Sequence, residues 1–182
     1  IMAQTDERAV RIARVDREVR LALDRVAATT GPGSFTGLRV SLAAVEGIAQ
    51  TLRRPAIGYD TFDGWALAAR RVGTVLAIVA AGRGEVYGGV RTVGVDRDLM
   101  RIGDDLVGLP DLVVRQLLEG SQRPLIVTGD GLGIAGDVLN VIESTDVELI
   151  RSGSPSLAAA IAQHATPAEQ RPLRPYYLRK PD

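Results

Sequence analysis

The segment GPGSFTGLR, at residues 31–39, limits the fold of this chain more than any other part of its sequence. The apolar stretch from Leu23 to Thr29 comes before it and predicts a short buried strand. After it, apolar residues recur every three or four positions from Phe35 to Leu52, which predicts a helix with one buried face. Glycine and proline therefore form a tight turn that leads a buried strand directly into a long helix.

Further along the chain, predicted strands alternate with predicted helices. We predict strands at residues 56–58, 75–79, 86–93, 99–102, 125–128 and 147–150, and helices at 62–71, 110–118 and 154–163. Such alternation is typical of an α/β fold with a largely parallel sheet. We expect two lobes, an N-terminal lobe at residues 1–72 and a C-terminal lobe at 73–182, with a hinge near residues 71–74.

The composition excludes several classes of protein. Of the 182 residues, 46% are hydrophobic, which is enough to bury a core, and none is cysteine. Without cysteine there is no disulfide scaffold, no thiol catalyst and no cysteine-based zinc site. Basic and acidic residues both number 22, so no net charge attracts nucleic acid or an anionic membrane. No apolar run approaches the roughly 20 residues that span a bilayer, and we expect a soluble cytoplasmic protein without membrane contact.

The glycine turn has two interpretations, and the sequence leaves both open. Backbone N–H groups and a helix dipole favour phosphate binding at such a turn, where the candidate residues are Gly31, Pro32, Gly33, Ser34, Thr36 and Arg39. However, Pro32 removes one donor, and the segment matches neither G-x-x-x-x-G-K-[ST] nor G-x-G-x-x-G. The alternative is a structural turn in which Ser34 or Thr36 caps the helix.

No set of residues predicts catalysis. Ser34 stands outside a G-x-S-x-G motif, and a serine triad would depend on His164, the one histidine of the chain. One histidine and no cysteine argue against a catalytic transition-metal site. Four acidic residues have the spacing of ordinary loop and cap residues rather than of a magnesium site: Asp60, Asp63, Asp130 and Asp137. We therefore assign no catalytic and no metal-binding residue.

The predicted helix at residues 35–52 carries many small side chains. They either allow a partner helix to approach closely or fit beneath this chain's own sheet, and both interpretations remain open. The candidate partner-binding residues are Phe35, Gly37, Leu38, Ser41, Ala44, Val45 and Ile48.

Two segments combine arginines with other recognition residues. A predicted helix at residues 6–20 has an arginine every third position from Arg8 to Arg17, which indicates a solvated face or, alternatively, a basic face for RNA or a protein. The C-terminal segment at residues 171–180 mixes basic residues with two tyrosines and two prolines, and a third proline follows at position 181. We predict that it docks on the body through Leu173, Tyr176 and Leu178, and RNA contact is the alternative.

Several of these motifs together resemble the signature of the bacterial TsaB (YeaZ) family. The resemblance begins with the run from Leu23 to Val40, which contains GPGSFTGLR, and continues through GIA at residues 47–49 and PAIG at 55–58. It also covers GEVY at residues 84–87 and ends with PYYLR at 175–179. The nine-residue GPGSFTGLR segment makes a chance match improbable.

The resemblance implies an actin-like (ASKHA, ribonuclease H-like) two-lobed α/β fold, related to Gcp proteins once classed as glycoproteases. It implies a non-catalytic scaffold that binds and activates a TsaD-like threonylcarbamoyltransferase, which forms N6-threonylcarbamoyladenosine next to the tRNA anticodon. The implied partners are the TsaD-like paralogue, a TsaE-like ATPase, a second copy when the protein is isolated, and tRNA through the complex. No cofactor is expected to bind tightly, although ATP or ADP with magnesium is a candidate at the partner interface. The alternative is a nucleotide-binding acyl- or phosphotransferase that acts alone.

The sequence also departs from the family pattern before the glycine turn. Only about thirty residues precede Gly31, and the opening strands with an Asp-Thr-Ser loop are missing from them. We therefore expect that the natural chain is longer at its N-terminus and that the first lobe is incomplete here. A first sheet without those strands would leave the strand before Gly31 at an edge.

Overall fold

The computed structural model describes residues 23–136, 146–150, 157–165 and 171–179. The predicted helix at 6–20 and Asp137 lie outside these residues. In the described part, the strands are β1 (Val26–Thr29), β2 (Ala56–Tyr59), β3 (Gly73–Gly82), β4 (Glu85–Val93), β5 (Leu99–Gly108), β6 (Leu125–Thr128) and β7 (Val147–Ile150). The helices are α1 (Phe35–Leu52), α2 (Thr61–Ala68), α3 (Pro110–Glu119) and α4 (Leu157–His164), with one 3-10 turn at Asp130–Gly133.

The strands form two sheets. In the smaller one, β1 and β2 run parallel, with Val26 opposite Ala56 and Thr29 opposite Tyr59. The larger sheet has the order β5-β4-β3-β6-β7, in which β3, β4 and β5 are antiparallel while β6 and β7 run parallel to β3. The predicted α/β class is confirmed, although half of the larger sheet is an antiparallel meander rather than parallel.

The continuous apolar run in β3 is buried on both faces of the larger sheet, as its composition predicts. Side chains alternate along a strand, so Leu76 and Ile78 face α3 and pack in one cluster with Val114. Their neighbours Val75 and Ala77 face the opposite side, where α2 covers them. Helices on both faces therefore hold this strand at the centre of the fold.

The smaller sheet is covered in the same way. Val26 and Ala28 of β1 pack against α1, whereas Ala27 faces α2 and α4. No helix in the described residues is long and apolar enough to cross a membrane.

Several predicted boundaries are wrong. Strand β1 begins at Val26 instead of Leu23, and β3 spans Gly73–Gly82 instead of residues 75–79. Strand β5 continues to Gly108 instead of ending at Ile102, because its pairing with β4 resumes at Leu106 after a register shift between Gly88 and Val90. Helix α2 ends at Ala68 rather than Arg71, because Arg70 has a φ of +52°, outside the helical region.

The C-terminal segment at residues 171–179 docks on the body, as predicted. The backbone N–H of Tyr176 donates to the Thr30 carbonyl at 2.7 Å, and the N–H of Gly58 donates to the Arg171 carbonyl at 2.9 Å. Leu173 packs against the cluster between β1 and α1, and Leu178 packs against the cluster beneath α2. The segment therefore contacts the cores on both sides of the predicted hinge.

Two glycines allow this close approach. A Cβ atom on Gly58 would lie 2.5 Å from the Pro172 carbonyl oxygen and 2.6 Å from a Thr30 methyl carbon. Gly31 has a φ of +118°, and a Cβ there would lie 2.4 Å from the Tyr176 carbonyl oxygen. The glycine turn and β2 are thus shaped to receive the C-terminal segment.

We predict that Gly58→Ala destabilises the protein by about 1–3 kcal/mol, because the added methyl group meets backbone atoms that cannot move independently. The measurement is the free energy of unfolding in urea. A matched control is Gly47→Ala in α1, where an added Cβ would meet nothing within 4 Å. That variant should be stabilised by about 1 kcal/mol through helix propensity. Equal effects of the two substitutions would contradict the close approach at Gly58.

Candidate functional site

The glycine turn is largely enclosed by this chain. Gly31 and Pro32 are buried, the Gly31 carbonyl accepts from the Thr61 N–H at 2.7 Å, and Tyr176 lies over the turn. The C-terminal segment thus encloses these two residues, and their role in phosphate binding stays a prediction.

The remaining candidates of that loop lie at the start of α1. The Ser34 hydroxyl oxygen accepts from the Gly37 N–H at 3.3 Å, so Ser34 is the N-cap and Thr36 is not. The side chains of Ser34, Thr36 and Arg39 are exposed, whereas Gly33 is half-buried. These exposed residues stay candidates for ligand contact.

Three of the predicted partner-binding residues face inward. Leu38, Ser41 and Val45 are at most 4% exposed. Val45 packs on β1, and the Ser41 hydroxyl donates to the Gly37 carbonyl at 2.9 Å. Because this chain's own core covers them, a partner cannot contact their side chains, and the prediction is corrected for all three.

The other four predicted residues reach the surface to different extents. Phe35 is exposed, Gly37 and Ala44 are half-buried, and Ile48 packs partly against the core beneath α1. Their role in partner binding stays a prediction.

The outward face of α1 is formed by Thr36, Val40, Ala43 and Gly47, all of them exposed. Val40 is 47% exposed, and the space around Gly47 is open. Successive members are three or four residues apart, so they form one stripe along the helix. The sequence contained the signal for this face, because it lies opposite the apolar positions Leu42 and Val45.

An aromatic and arginine cluster lies where α1 begins. The rings of Phe35 and Tyr177 have centroids 5.4 Å apart and are tilted by 37°. The guanidinium carbon of Arg39 lies 4.1 Å from the centroid of the Phe35 ring. Arg39 Nε also donates to the Tyr177 hydroxyl oxygen at 3.5 Å. The cluster joins the glycine turn, α1 and the C-terminal segment at the surface.

A second cluster, which sequence reasoning missed, surrounds Arg91 of β4. Arg91 is fully buried, and its guanidinium meets three carboxylates. Nε donates to Asp63 at 2.7 Å, Nη2 donates to Asp60 at 2.6 Å, and Nη1 donates to Asp105 at 2.9 Å. Asp60 also caps α2 by accepting from the Asp63 N–H at 2.6 Å.

The C-terminal segment completes this Arg91 cluster. Arg171 donates to Asp63 at 2.9 Å, and the Tyr176 hydroxyl donates to Asp105 at 3.0 Å. Arg101 lies 3.5 Å from Asp105 on the side of β5. Three guanidinium groups therefore balance three carboxylates, and the cluster ties α2, β4, β5 and the C-terminal segment together.

Burial and like charge set the ionisation of this cluster. Burial, followed by repulsion from Asp63, raises the pKa of Asp60 to about 6, although Arg91 opposes the shift. Burial alone would lower the pKa of Arg91, but Asp105 and Asp60 stabilise its charge and raise it. Burial and the neighbouring Asp105 carboxylate raise the pKa of Tyr176.

Three of the four acidic candidates lie in the described part, and Asp60, Asp63 and Asp130 each accept a hydrogen bond from this chain. Among the described residues, no group of three or more histidine, aspartate or glutamate side chains is placed to hold a metal ion. Asp130 accepts from the Ala80 N–H at 3.0 Å, and burial raises its pKa. The His164 ring packs edge-on against Tyr59, with centroids 5.9 Å apart.

We predict that Arg91→Gln destabilises the protein by about 3–5 kcal/mol, because it leaves buried carboxylates without their counter-charge. The measurement is urea unfolding at neutral pH. The control is Arg71→Gln, which removes the same charge from an exposed pair with Glu148 at 2.9 Å. That change should cost no more than about 1 kcal/mol, and a similar cost for both would contradict the role of Arg91.

We also predict that Asp60 makes the protein less stable as the pH rises. Its folded pKa of about 6 lies above the ordinary value of 3.8, so the folded state holds a proton that the unfolded chain releases. This contribution is fully present below pH 3.8 and is lost as the pH rises through about 6. Unfolding measured across this interval should show a weaker pH dependence in Asp60→Asn, which keeps a helix cap. An unchanged slope would contradict the raised pKa.

Comparison with known proteins supplies the family. A sequence profile described as "TsaD: tRNA N6-adenosine threonylcarbamoyltransferase" matches residues 7–119. The "Uncharacterized protein Rv3421c" of Mycobacterium tuberculosis is 30% identical over 167 residues, which are 88% of this chain and 66% of that protein. The chain thus spans 66% of the length of this relative. A protein of Mycobacterium leprae, "Uncharacterized protein ML0378", is 36% identical over 102 residues, 56% of this chain and 26% of that one.

Solved structures agree with the profile. A Pseudomonas aeruginosa protein described by its similarity to peptidase YEAZ has a TM-score of 0.62 at 27% identity, over 88% of this chain and 76% of its own. YeaZ from Pseudomonas aeruginosa has a TM-score of 0.61 at 23% identity, over 87% and 75%, and supports the fold alone. The predicted actin-like α/β fold is confirmed by these matches. The chain belongs to the Gcp-like family that the TsaD profile describes and, within it, to the YeaZ (TsaB) proteins.

Proposed function

We propose that this chain is a non-catalytic scaffold subunit in tRNA modification. In this role it binds and activates a TsaD-like threonylcarbamoyltransferase that forms N6-threonylcarbamoyladenosine next to the anticodon. The observation that carries the proposal is the family match, because the TsaD profile covers residues 7–119 and includes all of α1. The outward face of α1 supports it by offering a surface for a partner.

The shape of that face suits a helix of the partner. Ala43 and Gly47 are exposed and have almost no side chain, so another helix can approach with an axis separation near the lower end of about 8–10 Å. Val40 adds apolar area at 47% exposure. Burial of this stripe would remove apolar surface from water without placing a charge at its centre.

The interior of the protein holds this face in place. Ser34 caps α1, Val45 anchors it on β1, and the turn before it is fixed by the C-terminal segment. A surface that is already ordered costs little conformational entropy when it binds. Activation then requires that this surface bind the active conformation of the partner more tightly than its inactive one.

The finer parts of the sequence-based expectation stay predictions. They include the TsaE-like ATPase, the homodimer of the isolated protein, the indirect contact with tRNA, and ATP or ADP with magnesium at the partner interface. Independent nucleotide-dependent catalysis, the alternative, loses support from the enclosure of Gly31 and Pro32 by the C-terminal segment.

We predict that Gly47→Trp reduces co-purification with a tagged TsaD-like partner by at least about tenfold, because a large side chain prevents close helix approach. The measurement is the amount of this chain retained per tagged partner, with circular dichroism as a check of folding. Two controls are Gly47→Ala, which keeps the face small, and Leu112→Trp, which places the same bulk on an exposed position of α3. Retention of Gly47→Trp at the level of both controls would show that α1 is not the interface.

A further inference from the structure

We propose that the exposed cluster of Phe35, Arg39 and Tyr177, here called the Phe35 platform, binds an unpaired nucleotide of RNA. The choice of RNA rests on the proposed function in tRNA modification. The binding site itself rests on the geometry of the three side chains, which lie at the start of α1 rather than along its outward stripe.

The platform contains two exposed aromatic rings, and the Arg39 guanidinium lies over one face of the Phe35 ring. Phe35 is 53% exposed and Tyr177 is 40% exposed, and they are the aromatic residues among the exposed large apolar side chains of the described part. Their centroids are 5.4 Å apart. Every nucleobase has a π face that can stack on such a ring, whatever the sequence.

The charge beside these rings suits a phosphate. In the described part of the chain, no carboxylate lies within salt-bridge distance of Arg39, which instead stacks 4.1 Å from the centroid of Phe35. The first turn of α1 contains no acidic residue, so the positive end of the helix dipole is not neutralised there. The exposed hydroxyls of Ser34 and Thr36 lie in the same turn and can donate to phosphate or ribose oxygens.

These features together favour a nucleotide over an apolar protein surface. An apolar partner would bury the Arg39 guanidinium without a counter-charge, which is costly. A nucleotide supplies both a ring for the aromatic faces and an anion for the guanidinium. Base-paired RNA hides its ring faces inside the duplex, so the platform should select unpaired nucleotides.

The platform is held ready for such a ligand. Its tyrosine lies between Tyr176, whose N–H donates to Thr30, and Leu178, which packs in the core beneath α2. Arg179, which directly follows Leu178, forms an ion pair with Glu85 of β4. Because the backbone on both sides of Tyr177 is fixed, little ordering is needed when a base stacks.

The test is fluorescence anisotropy with a short labelled oligoadenylate, and with a blunt RNA duplex of the same length for comparison. We expect the wild type, alone or with its TsaD-like partner, to bind the single strand more tightly than the duplex. Phe35→Leu and Tyr177→Leu should each weaken single-strand binding by about 5- to 150-fold, since one base–aromatic stack is worth about 1–3 kcal/mol. Tyr177→Phe keeps the ring and should retain most of the affinity.

Arg39→Gln should lower the slope of log affinity against log salt by about 0.7, the share of one phosphate in a single strand. Matched controls on α3 are Leu112→Ala and Arg115→Gln, both at exposed positions away from the platform. Equal losses in these controls, or no preference of the wild type for the single strand in either preparation, would overturn the proposal. Platform variants that lose the partner but keep the RNA affinity of the wild type would identify a protein contact and would also overturn it.

The outcome for the scaffold role is separate. Single-strand binding by the platform with no capture of a TsaD-like partner would support the nucleotide site and contradict the proposed function. Capture of the partner by wild type and platform variants alike, with no RNA selectivity, would support the scaffold role and contradict the nucleotide site.

Discussion

The buried guanidinium of Arg91 is the interaction on which the arrangement of the other elements depends. It binds Asp60 and Asp63 from α2 and Asp105 from β5, and these carboxylates in turn hold Arg171 and Tyr176 of the C-terminal segment. A buried charge is tolerated only when it is paired and hydrogen-bonded, so none of these partners can move away without a large cost. The cluster therefore sets where the C-terminal segment at residues 171–179 lies. The position of this segment then decides whether the glycine turn is open or covered.

The C-terminal segment connects the interior to the surface. Its backbone crosses Gly31 and Gly58, where only glycine leaves enough room, and its side chains reach the cores on both sides of the predicted hinge. The same segment brings Tyr177 beside Phe35 at the surface. The C-terminal segment therefore encloses the glycine turn, holds the start of α1 and completes the Phe35 platform. This arrangement fits a protein that presents preformed surfaces to other molecules.

Much of the fold could be predicted because it depends on local spacing. The apolar periodicity from Phe35 to Leu52 matches α1 residue for residue, and the run at 75–79 lies within a strand buried on both faces. Predictions that depended on which helix face points inward were less successful. Ser41 was predicted to contact a partner because its side chain is small, but it is buried. Gly47 is also small, and it lies on the exposed side of α1 with open space around it. Size alone does not tell whether a small side chain fits a core or a partner.

The sequence by itself determined the α/β class, the turn between strand and helix, and the motifs that led to the YeaZ (TsaB) family. Each depends on residues that are neighbours along the chain, where spacing and backbone preference act directly. Only the tertiary structure decided that Arg91 is a buried centre of charge. Its three carboxylate partners are 14, 28 and 31 residues away, and in the sequence they look like ordinary strand and cap residues. The tertiary structure also decided that Tyr176 covers Gly31 and that Tyr177 meets Phe35, contacts between opposite ends of the sequence. Such contacts form only when the whole chain is packed, and no local pattern encodes them.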